Sequence, residues 1–123
     1  MKVRCNLNIP GNGNLEIGKT YVVYGILMKS GVLSYLLYTS VAPRWFLATR
    51  FDIIDKLLPL KWYFRFNKEK NIATWSYKEF VFDAEHHEGL VECKKEDIEI
   101  FMKRKEEIDE YEELRKIKQK KVG

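Results

Sequence analysis

The chain has 123 residues, a formal net charge of +4, and 46% hydrophobic and 14% aromatic residues. This length fits one domain, and the hydrophobic content is enough to bury a core, which excludes a largely disordered chain. Residues 1–93 carry 12 basic and 9 acidic side chains, and residues 94–123 carry 10 and 9. The positive excess is therefore spread thinly and only hints at the concentrated basic face of a nucleic-acid-binding protein.

The first third of the chain has the pattern of short strands separated by turns. Gly25 lies inside a run of β-branched and aromatic residues, which is typical of a bend or bulge. Ser30-Gly31 predicts a tight hairpin. The predicted elements are a strand at Lys2–Asn6, a turn-rich loop at Asn8–Asn14, a strand at Thr20–Lys29 and a returning strand at Val32–Thr39.

The next segment completes the predicted sheet. Arg44–Ala48 is a predicted strand, Ala48–Arg50 a short helical turn, and Phe51–Asp55 a closing strand. Five short strands with a turn before the last are typical of an SH3-like barrel, which hides its edges by closing or strongly curling the sheet.

The second half continues with strands and ends in a helix. Hydrophobic residues at helical spacing mark that helix from about residue 96 to 118. It lacks a sustained heptad, which favours a solvated helix with a short docking stripe over a coiled-coil partner. The other predicted elements are strands at Trp62–Phe66 and Ile72–Tyr77, a turn at Asn67–Asn71, a strand extension at Glu79–Phe82 and a polar loop at Asp83–Gly89.

The predicted fold is therefore α+β. It consists of a curved antiparallel β-sheet, SH3-like in its first half, and one C-terminal helix. Residues 1–123 form a single domain in this prediction, with a β-rich core at 1–93 and the helix at 94–118.

The sequence also predicts a compartment. The N-terminus shows no apolar segment of a secretory signal, and the longest apolar runs are too short to cross a bilayer. We therefore expect a cytoplasmic protein with no membrane partner. Cys5 and Cys93 have neither a zinc spacing nor a redox spacing, and we expect two reduced thiols.

The segment Asp83-Ala84-Glu85-His86-His87-Glu88 holds the only cluster of side chains suited to metal binding. Adjacent histidines in a strand point to opposite faces, and no third ligand stands at a recognisable spacing. The pattern favours a solvated acidic loop, with contact to a basic partner ranked above metal binding.

The aromatic residues of the sheet have two interpretations. Exposed aromatics among basic residues would form a stacking platform for bases, whereas alternate burial would place them in a core. The core is favoured, but only one face of 62–66 can point inward, so some of its aromatics must face outward. The set is Trp45, Phe46, Trp62, Tyr63, Phe64, Phe66, Trp75 and Tyr77, with Arg44, Arg50, Lys61 and Arg65 among them.

Catalysis finds no support in the sequence. Ser30 and Ser40 lie outside any nucleophile elbow, and Gly11-Asn12-Gly13 lacks the lysine and following helix of a phosphate loop. We expect no catalytic residues, no cofactor and no bound metal.

Several segments together resemble a known family. They are Ile17–Ile26, Arg44–Ala48, Phe51–Asp55, Leu58–Phe64, Tyr77–Asp83, His86–Leu90 and Phe101–Glu107. With this order the chain resembles small bacterial immunity proteins of contact-dependent-inhibition and related polymorphic toxin systems. The resemblance covers roughly residues 15–108.

This resemblance implies a non-catalytic inhibitor that binds one cognate toxin domain, commonly a nuclease, and occludes its active site or nucleic-acid groove. Inhibitors of basic nucleases are commonly acidic, whereas this chain is mildly basic. A local acidic patch at Asp83, Glu85, Glu88 and Glu92 still offers a surface for a basic toxin. The expected partner-binding residues are Asp83, Glu85, His86, His87, Glu88, Arg44, Trp45 and Tyr63.

The alternative function is an SH3-like nucleic-acid-binding module. It would use Arg44, Arg50, Lys61, Arg65 and the exposed aromatics, and its affinity would fall steeply with salt.

Overall fold

The computed structural model describes residues 1–7, 15–39 and 42–122. The predicted loop Asn8–Asn14 lies outside the described residues. The elements, in chain order, are β1 (Lys2–Cys5), β2 (Thr20–Val22), β3 (Gly25–Lys29), β4 (Val32–Tyr38), β5 (Pro43–Leu47), a 3-10 turn (Ala48–Arg50), β6 (Phe51–Asp55), β7 (Tyr63–Asn67), β8 (Ile72–Ser76), α1 (Lys78–Phe82), α2 (Ala84–Val91) and α3 (Lys95–Val122).

The strands form two antiparallel sheets. The three-stranded sheet has the order β2-β1-β6, and the five-stranded sheet has the order β5-β4-β3-β8-β7. The α+β prediction, with antiparallel pairing and a helix at the C-terminal end, is confirmed. Barrel closure is not observed, because within the described ranges the two sheets remain separate.

The separation arises where the predicted strand Thr20–Lys29 divides. Its first part, β2, pairs with β1, whereas its second part, β3, pairs with β4 and β8. The two residues between them point into different cores: Val23 packs between the sheets and Tyr24 packs among the helices. The chain therefore passes from one sheet to the other at this step instead of continuing as one strand.

The β3–β4 hairpin confirms the turn prediction. Lys29 pairs with Val32 across a two-residue loop. Ser30 and Gly31 have φ values of 50° and 82°, and both lie in the left-handed region. This is the backbone of a type I′ turn, whose twist matches that of the flanking strands, and glycine adopts it at little cost.

The five-stranded sheet is the middle layer of the molecule. Successive residues of β4 are buried on opposite sides: Tyr35 and Leu37 pack against the three-stranded sheet, and Leu36 packs against the helices. We call these two faces of the five-stranded sheet the sheet side and the helix side. Each therefore has its own hydrophobic core.

The segment between β8 and α3 differs from its prediction. The predicted strand Glu79–Phe82 is helix α1, and the predicted polar loop Asp83–Gly89 is mostly helix α2. Residues 78–91 therefore do not belong to a β-rich region. The sequence feature that marks the start of α2 is its N-cap residue, Asp83. Its Oδ1 accepts hydrogen bonds from the backbone N–H groups of Glu85 (3.0 Å) and His86 (3.4 Å).

The long helix α3 spans both layers. Phe101 and Ile108 are buried in the core on the helix side. Further along, Arg115 contacts Asp55 of β6 at 3.0 Å. One helix thereby connects the five-stranded sheet to the edge of the three-stranded sheet.

Replacing Phe101 with alanine should lower the free energy of unfolding by about 3–5 kcal/mol. Its side chain has no exposed surface, and its ring packs 5.5 Å from Tyr24 and 6.1 Å from Tyr38. Urea denaturation measures the change. Met102→Ala is the matched control, since Met102 is 38% exposed and should cost less than about 1 kcal/mol. Equal effects of the two substitutions would contradict this assignment of the core.

Candidate functional site

The predicted contact residues do not form one site. Trp45 and Tyr63 lie at opposite edges of the five-stranded sheet, on a single row of paired residues that runs Trp45–Leu36–Gly25–Ser76–Tyr63. Both point to the helix side, but four strand spacings separate them by about 19 Å. Arg44, next to Trp45 on β5, is exposed and points to the sheet side.

His86 is not a surface residue, which corrects the prediction. Its side chain is 1% exposed. Nε2 lies 2.7 Å from the hydroxyl of Tyr77, and Nδ1 lies 2.9 Å from Oδ1 of Asp97. Both ring nitrogens are engaged, so His86 has neither a free ligand atom for a metal nor a face for a partner.

The direction of this hydrogen-bond chain follows from the chemistry of its ends. Burial raises the pKa of Tyr77, so its phenol stays protonated, and the carboxylate of Asp97 at the other end can only accept. In the neutral ring the phenol O–H donates a hydrogen bond to Nε2 of His86. Nδ1 then carries the ring proton and donates to the carboxylate of Asp97. The three side chains connect the end of β8, α2 and the first turn of α3. This arrangement orients the helices.

Gly89 is required by the same chain of contacts. A Cβ atom at this position would lie 1.7 Å from Oδ2 and 2.2 Å from Cγ of Asp97. The absence of a side chain at Gly89 is what lets Asp97 approach α2 closely enough to reach His86.

The other predicted residues of this segment have separate roles. Asp83 caps α2 with its carboxylate, while Glu85 and Glu88 are exposed on the helix. Glu92 is also exposed and lies 3.4 Å from Lys94. The predicted acidic patch is therefore retained in part, as the outer surface of a helix instead of a loop.

His87 and Trp45 are brought together, as a partner surface would require. Their rings are stacked at 6.2 Å with an angle of 18°, and His87 also packs 4.8 Å from Phe80. Burial lowers the pKa of His87. Beside this pair lies a surface hollow of about 300 Å³, lined by Leu36, Pro43, Arg44, Trp45, Leu90, Val91 and Cys93.

A second exposed surface lies at the opposite edge of the sheet. Phe64 and Phe66 are each 53% exposed, Phe82 is 52% exposed and Tyr63 is 45% exposed. Tyr63 packs against Phe82 at 5.7 Å, and Phe64 packs against Trp75 at 4.8 Å. We call this set the aromatic edge: Tyr63, Phe64, Phe66, Trp75 and Phe82.

Of the aromatic edge, the sequence prediction named only Tyr63 as a contact residue. The alternation of residues 62–66 indicated that some of these aromatics face outward. What it could not show is that both faces are exposed. Both are exposed because β7 is the last strand of its sheet and lies beyond the cover of the three-stranded sheet.

A groove of about 420 Å³ continues from the aromatic edge toward α3. Its apolar wall includes Leu60, Tyr63, Tyr111 and Leu114. Its polar lining includes Arg104, whose Nε and Nη2 donate to the two carboxylate oxygens of Glu79 at 2.8 and 2.6 Å. This paired hydrogen bond lowers the pKa of Glu79 and keeps the ion pair intact across the neutral range.

The basic residues of the alternative function do not converge. Arg44 lies on β5 and points to the sheet side, whereas Arg65 lies on β7 and points to the helix side. Arg50 is in the 3-10 turn and Lys61 lines the groove. No single basic track joins these four residues.

Comparisons with models of protein families, with curated proteins and with solved structures found no match to this chain. In the parts of the chain that the structure describes, no three His, Cys, Asp or Glu side chains are grouped as metal ligands. In the same parts, no helix combines the length and the apolar character needed to cross a bilayer. Cys5 is buried and Cys93 is exposed, and both are free thiols.

Gly89→Ala should lower the free energy of unfolding by about 2 kcal/mol or more, because the new methyl group displaces Asp97 from His86. In an Asp97→Ala background the same substitution should cost less than half as much, since the clashing carboxylate is gone. A double-mutant cycle by urea denaturation measures this coupling. A stabilising Gly89→Ala, as expected for an unconstrained helical site, would contradict the close approach.

The lowered pKa of His87 predicts a pH dependence of stability. In the unfolded chain the His87 side chain has a pKa of about 6.5, so it takes up a proton at a higher pH than in the folded protein. The free energy of unfolding therefore falls as the pH falls below about 6.5. Between about pH 7.5 and about pH 5.5 the wild type should therefore lose more stability than His87→Gln. Urea denaturation at both values tests this, and an equal loss in the two proteins would refute it.

Proposed function

We propose that this protein is a non-catalytic inhibitor that binds and occludes a bacterial toxin domain in the cytoplasm, as an immunity protein does. The observation that carries the proposal is the aromatic edge. Proteins without a partner rarely leave several large aromatic side chains half exposed next to one another, and such surfaces mark interaction sites. The family resemblance of residues 15–108 supplies the class of partner, a toxin domain, commonly a nuclease.

The chemistry of the aromatic edge suits protein binding. Tyrosine, tryptophan and arginine supply most of the binding energy in interfaces, because large rigid side chains bury much area at a small entropic cost. Tyr63 lines the groove and packs against Phe82, and Phe64 and Phe66 lie on the other side of β7. A partner that covers this edge would bury apolar surface on both faces of the strand.

The opposite edge of the sheet supplies a second, charged element. Glu85 and Glu88 lie on the exposed face of α2, near the stacked pair of His87 and Trp45. Exposed carboxylates speed association with a basic nuclease surface more than they strengthen the final complex. A large toxin domain that reaches across the helix side would contact both edges.

The nucleic-acid-binding alternative has one favourable observation. The exposed Phe64 and Phe66 and the half-buried Trp75 form an aromatic surface, and Arg65 and Lys61 lie on the same segment as Phe64 and Phe66. This composition is that of a stacking platform. The dispersal of the other basic residues weighs against it, because affinity for a phosphate backbone grows with the number of phosphates neutralised.

The proposal predicts that a toxin domain is encoded next to this chain's gene, and expressing that domain with and without the chain tests it. Growth should be rescued by the wild type, and the two proteins should co-purify. The double variant Phe64→Ala/Phe66→Ala should weaken binding by about 100-fold or more, since it truncates two anchors.

The matched control is Ile53→Ala/Ile54→Ala on β6. These two side chains are 54% and 47% exposed but lie in the three-stranded sheet, away from the aromatic edge. They should leave rescue and binding unchanged. Absence of rescue and of a complex would refute the inhibitor proposal. Binding to single-stranded oligonucleotides with a steep salt dependence would support the alternative instead.

A further inference from the structure

The outer edge of β7 is open for strand pairing. β7 pairs with β8 on one side, and no other strand among residues 1–7, 15–39 and 42–122 pairs with it on the other. All residues of β7 except the last are exposed. The opposite edge strand, β5, begins with Pro43, which has no backbone N–H to donate. The two edges of the sheet are therefore unequal, and β7 is the one suited to accept a further strand.

The hydrogen-bond pattern shows which backbone groups of β7 face outward. Ser30 N–H donates to the carbonyl of Asn71 at 3.1 Å. This bond flanks the pair Lys29–Ile72, so that pair is the non-hydrogen-bonded type and Ile72 directs its backbone groups to β7.

Alternation along β8 then assigns the rest of the ladder. Ile72, Thr74 and Ser76 bond to Asn67, Arg65 and Tyr63 of β7. Phe64 and Phe66 consequently direct their N–H and C=O groups away from β8. These are the donors and acceptors that an added strand would use.

The side chains of β7 define what such a strand must carry. Phe64 and Phe66 point to the sheet side and are half exposed, and Phe64 packs against Trp75 there. Arg65 points to the helix side. An added strand therefore meets aromatic surface on one face and a positive charge on the other, so its residues should alternate between apolar and acidic.

The charge around β7 favours the same partner. Residues 61–71 carry one acidic side chain, Glu69, against four basic ones, which are Lys61, Arg65, Lys68 and Lys70. This hairpin is the most basic exposed edge of the sheet, although the chain as a whole is only mildly basic. Local charge thus selects an acidic segment.

We propose that β7 binds an extended segment of the partner protein, with alternating apolar and acidic residues, as a sixth strand of the five-stranded sheet. This rests on the proposed function and specifies how the inhibitor holds its partner. Backbone hydrogen bonds to Phe64 and Phe66 provide the affinity, while the aromatic surface and Arg65 select the sequence.

A second copy of this chain fits the edge less well. Antiparallel pairing of all five residues of β7 with another β7 would place Arg65 opposite Arg65. Like charges directly opposite each other destabilise a strand pair. A charged side chain such as Arg65 on an edge strand opposes self-association through that edge.

The test uses the full chain and a synthetic nine-residue peptide in which valine alternates with glutamate. As peptide is added, the NMR chemical shifts of backbone amides in β7 and β8 should change until the binding site is saturated. Amide shifts elsewhere should change little. A peptide with lysine in place of glutamate should bind at least 10-fold more weakly. A valine–glutamate peptide that is N-methylated at its valines should also bind at least 10-fold more weakly. Valines that lie opposite Phe64 and Phe66 direct their N–H groups to β7, and methylation removes these donors.

Two matched variants test the role of charge. Arg65→Glu should reverse the preference between the glutamate and lysine peptides, whereas Arg44→Glu, on the other edge strand, should leave it unchanged. Both side chains are exposed, so both variants should keep the wild-type fold, which circular dichroism checks.

Several outcomes would overturn the proposal. They are equal binding of the N-methylated peptide, shifts confined to other surfaces, a concentration-dependent dimer through β7, and preferential binding of an oligothymidylate at the same amides. If the peptide fails but growth rescue persists, strand addition is wrong and the inhibitor function stands. If the peptide binds but no toxin is neutralised, strand addition at β7 stands and the inhibitor function is wrong.

Discussion

The burial of β4 on both faces is the constraint on which the rest of the structure depends. Tyr35, Leu36 and Leu37 are all almost fully buried, although they point alternately to opposite sides. One strand can be buried in this way only if each face of its sheet carries another layer. The three-stranded sheet and the helices are those layers, and β4 lies between them.

The same constraint leaves the other end of the sheet uncovered. Five strands are wider than a three-stranded sheet, so the sheet side of β7 and β8 extends past its cover. Phe64 and Trp75 lie there in a row of paired residues that continues through Ile26 to the buried Tyr35 and Phe46. Phe66 lies in the next row on the same side. Aromatic side chains of the kind that fill the core are therefore exposed to solvent at this end of the sheet. The proposed binding surface is a continuation of the core beyond the edge of its cover.

The helices are held in place by polar contacts as well as apolar ones. Tyr77, His86 and Asp97 form a buried chain of hydrogen bonds, and Gly89 leaves the space that Asp97 occupies. Such a chain is costly when any member is removed, because the remaining polar groups lose their partners in a poorly hydrated site. The chain of hydrogen bonds also determines which side of α2 faces the solvent. With His86 directed inward, Glu85 and Glu88 are exposed and His87 lies against Trp45.

Local sequence signals determined much of this protein. Ser30-Gly31 specified a type I′ hairpin, Ala48–Arg50 a helical turn, and the β-branched and aromatic runs most of the strands, because these preferences depend on neighbouring residues alone. Only the tertiary structure decided the rest. Whether the sheet closes, whether His86 is exposed, and which face of β7 is covered depend on partners distant in sequence: the crossing at Val23–Tyr24, Asp97 from α3, and the width of the three-stranded sheet. Alternation shows that a strand has two faces, but only the packing of the layers decides which of them meets solvent.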